Sequence, residues 1–221
     1  MRTITVTGNG LIRIRPDLTR ISLTLGGTSP EYAEALSSSA RDTELLKDLL
    51  AEFGFERSEL KTLNFNVDTE YEGANEEGVY KQRFGGYRYR HQMKVEFDSD
   101  NDRLGRILYA LANCPAKPEF SLSYTVKDPE AAKNELLGKA VADAREKAAV
   151  LTKAAGVTLK EIRSIDYSWG RVDLEVRPMN RMLMAAKSAD AAGSYDMDIE
   201  PDDIEASDTV TVVWEIEGQR I

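Results

Sequence analysis

An α+β fold, a two-layer sandwich of mainly antiparallel sheet with helices packed on one face, is predicted by three observations. Several stretches alternate apolar and polar residues with a period of two. Others repeat apolar residues at spacings of three and four. The order strand, Pro-Glu, long helix, glycine, strand then occurs twice, once from Pro30 and once from Pro129. Alternation leaves each strand one apolar and one polar face, the antiparallel pattern, and amphipathic helices supply the second layer.

The N-terminal run alternates Ile4 and Val6 with threonines, meets Gly8-Asn9-Gly10, and continues through Ile12 and Ile14 to Pro16-Asp17. An Asn-Gly step between alternating runs signals a hairpin, so a turn is expected there. Leu18 to Gly27 alternates again, with Ile21, Leu23 and Leu25 on one face. Ser29-Pro30-Glu31 opens a helix with the stripe Tyr32, Leu36, Ala40, Leu46, Leu50 and Phe53, ended by Gly54. From Leu60 to Glu72, Leu63, Phe65, Val67, Thr69 and Tyr71 share one strand face, with Thr62 and Asn64 on the other. Gly73 to Gln82 is acidic, aperiodic and glycine-containing, and reads as a loop. Arg83 to Phe97 is a second long strand and the partner of the first in a long hairpin, with Tyr87, Tyr89, His91, Met93, Val95 and Phe97 on one face.

Asp98 to Asp102 caps a short helix that turns Leu104, Ile107, Leu108 and Leu111 inward, and Phe120 to Val126 forms the next strand. Asp128, Pro129 and Glu130 suit a helix start. The long helix that follows carries the stripe Leu137, Ala140, Val141, Ala144, Ala148, Leu151 and Ala155 and stops at Gly156. Glu135 with Lys139 and Asp143 with Lys147 are acid-first pairs on its outer side. Beyond Trp169 the periodicity fails, and 170–205 reads as a long excursion before a closing strand over 208–217 with Val210, Val212, Trp214 and Ile216. The two copies align Pro30 with Pro129 and Gly54 with Gly156. The helix is longer in the second copy (27 against 24 residues from proline to glycine) and the next loop shorter (3 against 6). One domain over 1–221, built from two duplicated β-α-β units, is the reading.

The net charge of −9 argues against a nucleic-acid partner, which needs a basic footprint. A single cysteine, Cys114, excludes an intramolecular disulfide, and no apolar run is long enough to span a membrane. Met1 to Val6 enters a strand without an apolar leader. The chain as written reads as cytoplasmic, with a periplasmic or extracellular location as the alternative if a leader was removed.

No catalytic, cofactor-binding or metal residue is assigned. His91, the sole histidine, sits on an apolar strand face and reads as a hydrogen-bonded core or edge residue. Without it no nucleophile, histidine and acid triad can be assembled. Cys114 reads as a buried small hydrophobe. Asp98, Asp100 and Asp102 begin with calcium-loop spacing, but Arg103 stands where glycine is required and Tyr109 where the closing glutamate belongs, so they read as helix caps. Gly8-Asn9-Gly10 leads into a strand and is no nucleotide loop. Asp202-Asp203 and Glu76-Glu77 read as solvated acids. Met179, Met182 and Met184 could offer an adaptable contact surface.

Ile4-Thr5-Val6-Thr7-Gly8-Asn9-Gly10, Pro16-Asp17, the helix before Gly54 and Leu60-Lys61-Thr62 stand in one order with Gly86-Tyr87, the alanine-rich Ala140 to Ala155, Ile199-Glu200-Pro201 and Val210 to Val212. That order resembles the SIMPL-domain family, a bacterial family of unknown function, over Ile4 to Ile216. The resemblance implies no established enzyme activity and no catalytic residue to carry over. It also implies export to the periplasm or cell surface in many members, ring-like oligomers in some, a link to oxidative-stress tolerance, and a mammalian member associated with a signalling kinase. The expectation is a non-enzymatic structural or interaction protein, a homo-oligomer that uses strand edges and the 170–205 excursion for contacts. The alternatives are a small-ligand- or metal-dependent stress enzyme and a monomeric adaptor presenting 170–205 to a protein partner.

Overall fold

A computed structural model describes residues 2–76, 79–167, 172–178 and 200–218. In chain order the elements are β1 (Arg2–Ile14), β2 (Leu18–Ser29), α1 (Tyr32–Ala51), β3 (Lys61–Glu76), β4 (Val79–Asp98) and α2 (Asn101–Ala112). They continue with β5 (Glu119–Thr125), α3 (Pro129–Ala155), β6 (Val157–Tyr167), β7 (Glu175–Val176) and β8 (Ile204–Gly218). This is an α+β fold whose strands divide between two antiparallel sheets. The chain forms two compact units. One comprises Met1–Asp17, Thr125–Val176 and Asp202–Ile221; the other is built on Leu18–Tyr124. Most of the 170–205 segment, including Met179, Met182, Met184 and Met197, lies outside the described residues, as do Trp169 and Glu77.

In the first unit the sheet order is β1-β8-β6, with β8 antiparallel to both neighbours. β6 therefore runs parallel to β1 across β8, whereas β5, the strand that precedes α3 in the chain, is not in this sheet. The expected turn at Gly8-Asn9-Gly10 does not form. β1 pairs with β8 without interruption from Arg2↔Ile216 to Ile14↔Ile204, and Asn9 faces Thr209. The glycines serve the helix instead. A Cβ on Gly8 would lie 2.0 Å from the Ala140 carbonyl oxygen and 2.5 Å from the Ala144 nitrogen, and one on Gly10 2.2 Å from the Leu136 oxygen. Strand and helix backbones meet where neither carries bulk, and glycine inside a strand marks such an approach.

α3 is capped as its sequence predicts: Asp128 accepts from Ala131 N, Pro129 opens the helix, and Gly156 ends it at φ +66°. Its buried row is Ala132, Leu136, Ala140, Ala144, Ala148 and Thr152, spaced strictly by four. The expected stripe shared only Ala140, Ala144 and Ala148 with that row. Leu137 is half-buried, and Leu151 and Ala155 are exposed. A row of i+4 neighbours is one helix ridge inclined about 26° to the axis, and α3 lays that single ridge across β1 and β8. The alanines pack with Val6, Val210, Val212 and Trp214. At the other end Ala132 and Leu136 join Ile12, Val126, Ile204 and Ala206. β8 begins at Ile204, earlier than the closing strand expected from periodicity.

In the second unit the order is β3-β4-β2-β5. Ile21, Leu23 and Leu25 of β2 and Tyr89, Met93, Val95 and Phe97 of β4 are buried, as alternation predicts. α2 buries Leu104, Ile107, Leu108 and Leu111, and Asp100 caps it by accepting from Arg103 N at 2.9 Å. α1 departs from its expected stripe. It buries Ala35, Ser39, Leu46 and Leu50, while Tyr32, Leu36 and Ala40 are exposed. The predicted loop over Gly73 to Gln82 is instead hairpin, since pairing continues from Gly73↔Gln82 to Glu76↔Val79. Backbone pairing carries the strands past the point where side-chain alternation stops.

β3 holds the larger surprise. No described residue of β3 is fully buried, and Leu63, Phe65 and Tyr71 are 57%, 43% and 56% exposed. The register shifts twice in the hairpin. Thr62 faces Met93 while Asn64 faces Gln92, so Leu63 is an extra residue; Glu70 faces Gly86 while Tyr71 faces Phe84. A bulge of this kind re-aims side chains on one side of it. Thr62, expected on the polar face, is turned to the face of Met93 and His91, and Leu63 is turned out.

Candidate functional site

The bulge at Leu63 assembles the most chemically organised cluster among the described side chains. β4 places His91 opposite Phe65 of β3 and Leu25 of β2, on the face that α1 covers. Thr62 Oγ1 lies 2.8 Å from His91 Nε2, and Thr43 Oγ1 of α1 lies 3.1 Å from Nδ1. Thr43 also donates to the Ser39 carbonyl at 2.7 Å. A hydroxyl has one hydrogen, so Thr43 must accept from His91, and the proton of the neutral imidazole sits on Nδ1. Nε2 then presents a lone pair that accepts from Thr62. The Phe65 ring meets the imidazole edge-on at 5.2 Å.

These groups line an open groove of about 430 Å³. Leu36, Ala40, Thr43 and Lys47 form its helix side, and Thr62, Phe65 and His91 its sheet side. Burial, and then the nearby Lys47 ammonium, push His91 below its ordinary value, so the neutral ring is the resting form. Lys47 is paired with Glu44 at 2.9 Å, and the second oxygen of Glu44 is taken by Arg57, which also holds Asp48. An imidazole of lowered basicity beside a cation is a poor general base, because the imidazolium that forms during proton transfer is disfavoured. The cluster is better suited to receiving an anion than to abstracting a proton.

Elsewhere the candidates fall into structural places. Cys114 is buried just past α2. Asp98 ends β4, Asp100 caps α2 and Asp102 lies in its first turn. Asp202 accepts from the Asp203 backbone nitrogen at 2.9 Å. Glu76 pairs through its backbone with Val79. Tyr89 is raised by burial and by its hydrogen bond to Asp42. Tyr124 is pushed up to about 12 by burial, and its hydroxyl has no partner among the described residues. The described residues contain no group of three or more His, Cys, Asp or Glu that could hold a metal, and no described helix is long and apolar enough to cross a membrane. Sequence reasoning missed Thr43, Thr62 and Lys47. The signal for Thr43 and Lys47 was their four-residue spacing on one helix face; Thr62 gave none, because only the bulge turns it inward.

The sequence compares with proteins already described. It is similar to the 26 kDa periplasmic immunogenic protein of Brucella melitensis biotype 1, 26% identical over 163 residues that make up 73% of this chain and 65% of the relative. The protein of the same description from Brucella abortus strain S19 is 25% identical over the same shares. The alignment thus spans just under two thirds of the length of these relatives. The family model named SIMPL, a protein of unknown function (DUF541), matches residues 4–214. The chain belongs to the SIMPL family.

Proposed function

We propose that this protein is a non-enzymatic structural or interaction protein that assembles with copies of itself through strand edges. The observation that carries the reading is the state of β3. It stands at the end of its sheet order, and its Leu63, Phe65 and Tyr71 are exposed, Tyr71 against the exposed Phe84 of β4. A long edge strand with apolar side chains offers both backbone groups and buriable area to another chain. β6 is likewise at the end of its sheet order, with Ile162 and Ile165 exposed. Each unit thus has one such edge. β1, at the opposite end of its sheet, is guarded: Asp143 accepts from Asn9 N at 2.6 Å, and Lys147 lies 3.5 Å from the Thr7 carbonyl. In both units the edge strand follows a long helix, β3 after α1 and β6 after α3, and that part of the repeated plan supports this reading.

Light scattering after size-exclusion chromatography tests the proposal. The expected result is an oligomer that Leu63→Lys with Ile165→Lys dissociates; a clean monomer at high concentration refutes it. An envelope location is part of the proposal, supported by the relatives, which are named periplasmic, and cell fractionation checks it. Of the alternatives, the small-ligand reading is favoured by the groove beside His91.

A further inference from the structure

We propose that the groove between α1 and the β3–β4 hairpin binds a small organic carboxylate with an apolar body. Lys47, Thr62 and His91 hold its charged end, and Leu36, Ala40 and Phe65 hold its body. The inference concerns one groove within one unit and does not depend on self-assembly.

The groove is amphipathic in the way such a ligand requires. Its volume of about 430 Å³ lies within the usual range for small-molecule sites, which pair apolar walls with a few placed polar groups. Lys47 meets one carboxylate oxygen, Glu44 Oε1 at 2.9 Å, while Arg57 takes the other Glu44 oxygen and also holds Asp48, so the three-donor ammonium keeps hydrogens for a ligand. The Thr62 hydroxyl can rotate. It now donates to Nε2, and that hydrogen becomes available to a ligand oxygen if Nε2 acquires its own proton.

Ligand charge and His91 charge are then linked. The charged groups lining the groove with His91 are Lys47 and Glu44 from α1. β3 contributes neutral Thr62 and Phe65, and β2 contributes Leu25 opposite. On β4 the neighbouring Tyr89 is committed to Asp42. An entering carboxylate offsets Lys47, so the imidazole takes one proton from water and Nε2–H becomes a donor. Between the ligand-free and bound titration points up to one proton is taken up per ligand bound, and Nδ1–H stays on Thr43 throughout.

His91 is the sole histidine, so its imidazole resonances report this site without assignment ambiguity. The full chain is titrated with hexanoate, acetate and hexanol between about pH 5 and pH 8. Expected are saturable hexanoate binding and an upward shift of the His91 titration. Affinity should rise up to about tenfold per pH unit as pH falls between the bound and the ligand-free titration points. Acetate lacks the body and hexanol the charge, so each should bind at least about tenfold more weakly. Lys47→Met and Thr62→Val should each weaken hexanoate by a similar factor, with amide spectra showing that both variants stay folded. An unchanged His91 titration at saturating hexanoate overturns the proposal, as does hexanol binding equal to hexanoate or unaltered binding by both variants. Light scattering on the same samples separates failure here from failure of the assembly reading.

Discussion

Gly8→Ala adds one methyl group where α3 crosses β1. The new Cβ would sit 2.0 Å from the Ala140 carbonyl oxygen, where ordinary contact begins at 3.4 Å, so the backbones must separate by up to 1.4 Å. The nearest obstructing atoms are main chain, and no side chain can swing away. Overpacking of a filled core costs about 1–3 kcal/mol, and this site belongs at the upper end. Replacing glycine with alanine returns roughly 0.5–1 kcal/mol through lost unfolded-state freedom, leaving a net loss of about 2–2.5 kcal/mol. With a urea m-value of roughly 2–3 kcal/mol/M, the midpoint should fall by about 1 M. Fluorescence of Trp214, followed in a Trp169→Phe background, reads the unit concerned, because Trp214 packs in the same core as Ala140 and Ala144. Adding Ala144→Gly removes the 2.7 Å side-chain contact but leaves the carbonyl clash, so it should not rescue. An unchanged midpoint for Gly8→Ala, or full rescue by Ala144→Gly, would refute the argument from backbone approach.

Gly138→Ala is the reverse case: nothing lies within 4 Å of the added Cβ, so helix propensity alone acts and stability should rise by about 1 kcal/mol in the same urea assay. Leu136→Ala should cost about 2–5 kcal/mol, because Leu136 is buried in the i+4 row, whereas Leu151→Ala on the exposed side should stay within about 0.5 kcal/mol. Comparable losses at the two leucines would show that the buried face of α3 is misplaced. For His91 the folded titration point lies below the ordinary 6.5, so the unfolded chain binds more protons in the interval between them. Its contribution is therefore fully present above about pH 6.5 and is lost as pH falls through that interval; urea midpoints over about pH 5–7.5 should flatten in His91→Gln.

Period-two patterns read well where both sides of the rule applied. Ile21, Leu23 and Leu25 were legible because β2 lies between β4 and β5 and has no choice of face. The same rule misled at Leu63. A bulge changes the parity of a strand and leaves no mark in composition, so Thr62 could not be placed beside His91 before the register was known. Gly8 and Gly10 were misread because glycine serves both a turn and a close approach, and the choice depends on a helix more than a hundred residues away. α3 was off by one position at Leu136 because alanine-rich stripes carry little contrast between neighbouring rows. The predicted caps, Asp100, Asp128 and Gly156, came out in place because each depends only on residues within one turn.

The pairing of β1 with β8 also sets an order of events in folding. Residues 2–14 are made well ahead of their partners, residues 204–216. Closing a loop that long costs on the order of 5 kcal/mol of chain entropy before any ladder bond is returned. Leu18–Tyr124, by contrast, supplies β3, β4, β2 and α1 from one contiguous stretch and can begin to organise while the rest of the chain is still being synthesised. The first unit therefore waits for β8, and until β8 is made β1 is an alternating strand without the partner it pairs with along its whole length.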